Sequence, residues 1–467
     1  MHQRYAPLLA LVLALALLLS GCADTSPRRS GTPQTAEATG DGAQETQFTA
    51  PILAPDRPKL VDVADARSAT VMVYLIGSDL ESESGLATRD LQEMLRADLG
   101  DRVHLVIQTM GCQQWHNSAV SPATAQRFSV EDGALVCLQE DLGQLDSTDP
   151  ATLRDFIGYC AANYPADRNI LVLWDHGAGP VYGFGYDEFQ SAGASLTLDE
   201  LQSALSQAQV PFDFIGFDAC LMGCLETCWA LRDWADYLVA SEDFVSGYGW
   251  EYQYWLTELG DDVALPTEEL GQTIVDTYVT ESEEAGDPGI LALLDLGYAQ
   301  TLYEAWTEFA YANQSRLTAL NYSWPTQITR RSLYEQWFGP TEPASVIEDY
   351  YITDLMALAS TLDTPESGAL IQALGHTVVC SAANDQDSRC TGLAVTLPYG
   401  NPTLYTALAD IYRRCGFDAA YVSWLARFAN APGSARFYED WTQWARLWDN
   451  SSQFGGWDGY HWRQSQG

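Results

Sequence analysis

Two short apolar runs constrain this chain more than anything else in it. Ile170 to Trp174 and Phe212 to Phe217 are aromatic and β-branched, and both end in polar or small residues. Runs of that length and composition read as strands buried on both faces, the habit of parallel sheets covered by helices. The first stops at His176-Gly177 and the second at Asp218-Ala219-Cys220. In an open α/β sheet, groups just past the carboxyl ends of neighbouring strands meet in one crevice, where such folds place their chemistry. A histidine and a cysteine delivered there by separate strands are a candidate base and nucleophile.

The surrounding chain repeats the pattern. TVMVYLIG from Thr70 is a strand, followed by a loop at Ser78-Asp79-Leu80-Glu81, and Leu86 to Leu95 carries a helical period. Arg102 to Thr109 is a second strand, and Phe128 to Leu138 a hairpin arm turning at Glu131-Asp132-Gly133. Thr148 to Tyr164 is a capped helix, and Leu198 to Gln207 the helix before the strand into Cys220. Leu221 to Arg232 should be helical, and Asp236 to Ala240 is the next strand. Alternation of this kind from 70 to 240 predicts right-handed crossovers and a mostly parallel sheet with helices on both faces. The second half is more helical, over Glu268 to Ser282, Tyr298 to Leu320 and Ser345 to Leu362, with two more strands at Gly289 to Leu294 and Gly392 to Leu397.

The ends differ in character. Leu8 to Leu19 is an uninterrupted apolar run behind Arg4, too short for a comfortable span and suited to a secretory signal. It closes in Leu19-Ser20-Gly21-Cys22, which resembles the bacterial lipobox, so Cys22 is expected to be lipidated and to anchor the exported chain at the bacterial cell surface. Residues 23–66 are rich in Ser, Thr, Pro, Gly and Gln, the composition of a disordered tether. The globular body is then expected over 67–435, and a Trp-rich tail over 436–467. That tail carries Trp441, Trp444 and Trp448, a spacing for a docking helix or, as the alternative, a carbohydrate-binding surface.

Charge limits the partners. The chain of 467 residues has 63 acidic and 23 basic side chains, a formal net charge of −40, and its only lysine is Lys59. A field this negative excludes nucleic acid and anionic lipid as partners, leaving the membrane to the lipid anchor alone. Nine cysteines follow Cys22, and an odd number leaves at least one unpaired. Cys380 and Cys390 flank a turn-rich segment and are a candidate bridge. Cys220, Cys224 and Cys228 recur every four residues, but lack the CxxC or histidine partners of a metal site and read as buried thiols.

A thiol attacks a carbonyl as thiolate, and a nearby imidazole supplies that activation. A helix opening at Cys220 would add the positive end of its dipole. The backbone N–H groups of Gly177 and Cys220 are candidate oxyanion donors, since glycine lets a main chain approach closely. Strand-HisGly followed 44 residues later by strand-AspAlaCys has the order and rough spacing of caspases.

The blocks VMVYLIGSDLES, NILVLWDHGAG, FDFIGFDACLMGCLE, VASEDFVSGYGWEY and TGLAVTLPYG resemble those of the clostripain family of cysteine peptidases. The resemblance implies a caspase-like three-layer α/β sandwich with helical C-terminal additions. It makes Cys220 the nucleophile and His176 its partner, with no third catalytic residue required and a peptide or protein as substrate. It also implies Arg or Lys at P1, with Asp218 lining that pocket. The second acid of the family's pocket is replaced by Tyr248, so Glu242, Asp243 or Glu251 would have to substitute. No cofactor is required. Some relatives need Ca2+, for which Glu81-Ser82-Glu83 and Asp261-Asp262 are candidate ligands, with a solvated acidic face as the alternative. The rival reading is a catalytically silent surface lipoprotein that binds peptide or glycan through the same cleft.

Overall fold

The computed structural model describes residues 62–191, 194–319, 352–362, 364–385, 387, 390–398 and 401–430. Cys22, the tether up to residue 61, residues 345–351 of the expected helix and the Trp-rich tail lie outside them.

Nine strands form one sheet: β1 (Ala69–Ile76), β2 (Val103–Met110), β3 (Gln126–Glu131), β4 (Ala134–Gln139), β5 (Arg168–Trp174), β6 (Phe212–Asp218), β7 (Ala235–Ala240), β8 (Ile290–Asp295) and β10 (Val378–Ala383). Their order is β10-β8-β7-β6-β5-β1-β2-β3-β4. The five strands from β2 to β7 through β1, β5 and β6 run parallel, and the additions at both edges are antiparallel. The centre is apolar because it is covered twice: every residue of β1 and β6 is buried. Side chains alternate between the faces. Val71, Val73, Ile170 and Val172 pack with Leu91, Met94, Trp255, Ile274 and Tyr278 from helices 86–96, 252–261 and 267–285. On the other face Tyr74 meets Phe156 of helix 150–163, with ring centroids 5.9 Å apart. The C-terminal helices 402–414 and 419–429 attach through an aromatic group in which Trp229 lies 4.3 Å from Tyr303 and 5.4 Å from Phe417.

Several local signals held. Helix 150–163 is capped by Asp149, helix 198–208 opens with a Thr197/Glu200 capping box, and Asp132-Gly133 turns the β3–β4 hairpin with both residues at positive φ. Two did not. Ser78 to Glu81 are not loop but the start of helix 78–84. The helix after Cys220 begins only at Leu225 and ends at Leu231. The reason is competition for the backbone. Leu221 N–H donates to Asp243 O at 3.0 Å, Gly223 N–H to Ser241 O at 2.7 Å, and Gly223 O accepts from Ala394 N–H at 3.0 Å. Ala394 belongs to β11 (Ala394–Thr396), which pairs with β9 (Ile352–Asp354) in a separate two-stranded sheet. Residues 221–223 thus lie between two segments and bond to both. The nine cysteines of the described residues are free thiols, so Cys380 and Cys390 are not bridged.

Candidate active site

The parallel register delivers the two candidate residues side by side. Ile170 pairs with Phe214 and Trp174 with Asp218, a constant offset of 44, which carried two residues further sets His176 level with Cys220. The backbones touch there: a Cβ on Gly177 would lie 2.1 Å from Cys220 O and 2.9 Å from Cys220 N, so only glycine fits. The chain reverses direction at this place in the sheet. From β1 it steps to β2 and then returns to β5 on the other side, making the β1/β5 edge the topological switch point.

The end of β1 contributes what sequence reasoning missed. Asp79 Oδ1 lies 2.6 Å from His176 Nε2. A carboxylate only accepts, so Nε2 carries the proton. Burial disfavours the imidazolium, but the charge and hydrogen bond of Asp79, with Asp175, overcome it and raise the pKa of His176. Burial likewise works against the Asp79 carboxylate, and His176 outweighs it, lowering the Asp79 pKa. Beneath them Asp175 accepts from Ser78 Oγ at 2.6 Å and from the Tyr186 N–H. Burial pushes Asp175 up to about 7.

Cys220 is held differently from the sequence-based expectation. With the helix starting at Leu225, no helix dipole acts on the thiol; instead Val245 N–H donates to Sγ at 3.2 Å. Burial, with Asp243 and Asp218 nearby, pushes the thiol up to about 12 against that hydrogen bond. The site therefore rests with a protonated thiol. Leu221, next in the chain, takes φ +66°, a left-handed conformation that costs a branched residue and so marks a backbone held by its surroundings. Cys224 and Cys228 are buried thiols, with Cys224 Sγ 3.0 Å from Thr227 Oγ1.

Asp218 lies two residues before Cys220, buried, and accepts from Trp250 N–H at 3.1 Å and from Tyr252 Oη at 3.0 Å. The two glycines of the region are forced. Gly216 leaves room for Trp250, whose ring would lie 2.4 Å from a Cβ there. Gly249, at φ +64°, would place a Cβ 2.9 Å from Asp218 Oδ2 and 3.0 Å from Asp90 Oδ2. So the acid beside Asp218 is Asp90 of helix 86–96, which accepts from Trp174 Nε1 at 2.6 Å. Burial and then the Asp218 charge hold Asp90 well above the usual carboxylate range, while burial pushes Asp218 up to about 6. Arg89 of the same helix stacks on Tyr248 at 3.9 Å from the ring centroid and sits 3.4 Å from Glu93 Oε1.

The acids named as substitutes are engaged elsewhere. Glu242 accepts from the N–H groups of Thr391 and Gly392, both at 2.7 Å, and burial next to Asp354 raises its pKa strongly. Asp243 accepts from Phe244 N–H and approaches Cys390, and Glu251 caps helix 252–261 through Tyr254 N–H. The helical period of 86–95 is visible in the sequence. That Asp90 meets Asp218 is not, because it depends on how helix 86–96 lies on the sheet. Of the calcium candidates, Glu81 accepts from Thr88 N–H, Thr88 Oγ1 and His116 N–H, and Asp262 from Ala264 N–H.

A central parallel sheet with histidine and cysteine at the ends of adjacent strands, a third group at the switch point and helices on both faces defines the caspase-like class of α/β sandwich. Residues 73–368 match the model of the clostripain family, Peptidase C11, and the chain belongs to that family of cysteine peptidases. It is 33% identical over 121 residues to clostripain of Hathewaya histolytica, a stretch making up 22% of this chain and 23% of that protein. The chain therefore aligns with about a quarter of that relative's length. Among solved structures, an inactive zymogen C11 protease from Parabacteroides distasonis superimposes with a TM-score of 0.52 at 20% identity, over 79% of this chain and 99% of the other. A secreted C11 cysteine protease from Bacteroides thetaiotaomicron, in complex with an irreversible peptide inhibitor, gives 0.54 at 18%, over 75% and 99%. At those identities the likeness is one of fold.

Proposed function

We propose that the protein is an exported, lipid-anchored cysteine endopeptidase working through a Cys220–His176 pair. The supporting observation is the register that sets Cys220 level with His176 while Asp79 holds Nε2. In this reading His176 Nδ1 takes the thiol proton as Sγ bonds to the scissile carbonyl carbon. The N–H groups of Gly177 and Cys220 stabilise the oxyanion. His176 then protonates the leaving amine, and water hydrolyses the acyl-enzyme. A thiol at about 12 fits a site that ionises only as substrate displaces water and the proton moves directly to the ring. Asp79 makes the pair a triad in function, a positioning residue for the imidazole.

The P1 side chain would be read at Asp218, with Arg or Lys preferred. Asp90 and Asp218 converge at Gly249, the residue after Tyr248, and the Arg89 that stacks on Tyr248 is itself paired with Glu93 and Glu281. Anchoring rests on the Leu19-Ser20-Gly21-Cys22 motif. The test is a fluorogenic peptide series varied at P1, assayed on purified wild-type protein and Cys220→Ala. Cleavage after Arg or Lys that vanishes in the variant supports both parts. Cleavage only after other residues overturns the P1 assignment, and an inert wild type overturns the peptidase.

A further inference from the structure

A second cluster of ligating side chains lies behind the turn that holds Cys220, and nothing in the peptidase reading uses it. β7 ends at Ala240 and leads into Asp243; β10 ends at Ala383 and leads through a loop to Asp387 and Cys390. One oxygen of each aspartate and the sulfur of Cys390 all lie within 4.8 Å of one another, with Cys390 Sγ 3.9 Å from Asp243 Oδ2. Acidic neighbours alone would carry little weight. Asp387 adds an independent observation, being 1% exposed with neither side-chain oxygen hydrogen-bonded. Buried carboxylate oxygens are almost always paired, so two orphans on one group call for a ligand. Two main-chain donors beside it are spent on main chain: Asp387 N–H bonds Asn384 O at 3.0 Å, and Cys390 N–H bonds Asp387 O at 2.8 Å. Those bonds fix where the Asp387 carboxyl points without satisfying it.

We propose that Asp243, Asp387 and Cys390 form a binding site for one divalent transition-metal cation of the Zn2+ class. The donor set selects the ion. Ca2+ takes six to eight oxygens, whereas a thiolate with two carboxylates suits Zn2+ and its neighbours. Bond lengths of about 2.0–2.3 Å in a tetrahedron put ligand atoms roughly 3.5 Å apart, so atoms now within 4.8 Å of one another would close by up to about 1.3 Å. The three protein ligands leave a fourth position for water. As the metal–sulfur bond forms, Cys390 gives its proton to solvent. The site reaches the nucleophile through two contacts already described: Asp243 O accepts from Leu221 N–H, and Val245 N–H holds Cys220 Sγ. A cation on Asp243 would tie the 384–390 loop to that turn.

The experiment takes the full-length protein, stripped with chelator, and titrates it with Co2+ as a visible probe. One equivalent should bind, with near-ultraviolet thiolate-to-metal charge transfer and tetrahedral visible bands, and Zn2+ should bleach both. Cys390→Ser should remove the charge-transfer band. Asp387→Asn should weaken Co2+ binding by about tenfold or more without lowering the melting temperature of the metal-free protein. Absence of the band, its persistence in Cys390→Ser, or binding of Ca2+ in preference to Zn2+ overturns the proposal. The readout does not depend on peptide cleavage, so it stands or falls apart from the peptidase reading.

Discussion

Asp79→Asn probes the part of the site that the structure adds. The native contact is a charge-assisted hydrogen bond of 2.6 Å, with both side chains 19% exposed. Bonds of this kind contribute about 1.5–3 kcal/mol. That interaction is strongest when the ring is protonated, as it becomes when Cys220 ionises. Its loss should therefore fall on the chemical step, and 1.5–3 kcal/mol corresponds to about 10- to 10²-fold in kcat. The acid limb of the pH–rate profile should move as well. His176 must be neutral to accept the thiol proton, and Asp79 is the main group holding its pKa up. In the variant, activity should begin its rise at lower pH even though its plateau is lower. The assay is kcat and kcat/KM against pH on one peptide, with the melting temperature recorded to confirm folding. An unchanged kcat with an unshifted acid limb would refute the positioning role, and so would a loss confined to KM.

Other consequences are equally direct. Arg89→Gln removes a cation stacked on Tyr248, so kcat/KM for P1-Arg relative to a neutral P1 should rise about three- to tenfold; an unchanged ratio would place P1 elsewhere. Asp218, pushed up to about 6, is uncharged below that pH, so the ratio of P1-Arg to P1-neutral cleavage should climb as pH rises through about 6. A flat ratio would remove Asp218 from the pocket. No Lys or Arg occurs from Asn169 to Leu231, so the active protein should stay uncut between His176 and Cys220. Electrophoresis and terminal sequencing after prolonged incubation should find one chain there, and a new terminus in that segment would contradict the basic P1 preference.

What the sequence disclosed was what is local. The strands into His176 and Cys220 are legible because each is a run buried on both faces, and their common offset of 44 is plain once they are known to be adjacent and parallel. Caps and the hairpin turn are legible because a few neighbouring residues determine them. The helix expected from Leu221 failed because residues 221–223 bond to Asp243, Ser241 and Ala394, the last distant in sequence, and tertiary pairing overrode the local period. Asp79 sat in plain view in GSDLES, but its role depends on β1 lying beside β5, a property of strand order. The acid beside Asp218 comes from helix 86–96 and not from the block that contains Tyr248, a placement set by how that helix packs on the sheet.

The account stands or falls on Cys220 as nucleophile. Wild-type protein and Cys220→Ala should be incubated with a peptidyl acyloxymethyl ketone and analysed by intact mass and peptide mapping. The account predicts one stoichiometric adduct on Cys220, formed at a rate that falls when Asp79 is changed to Asn, and none on the variant. Labelling at another of the nine thiols, or equal labelling of Cys220→Ala, would contradict it.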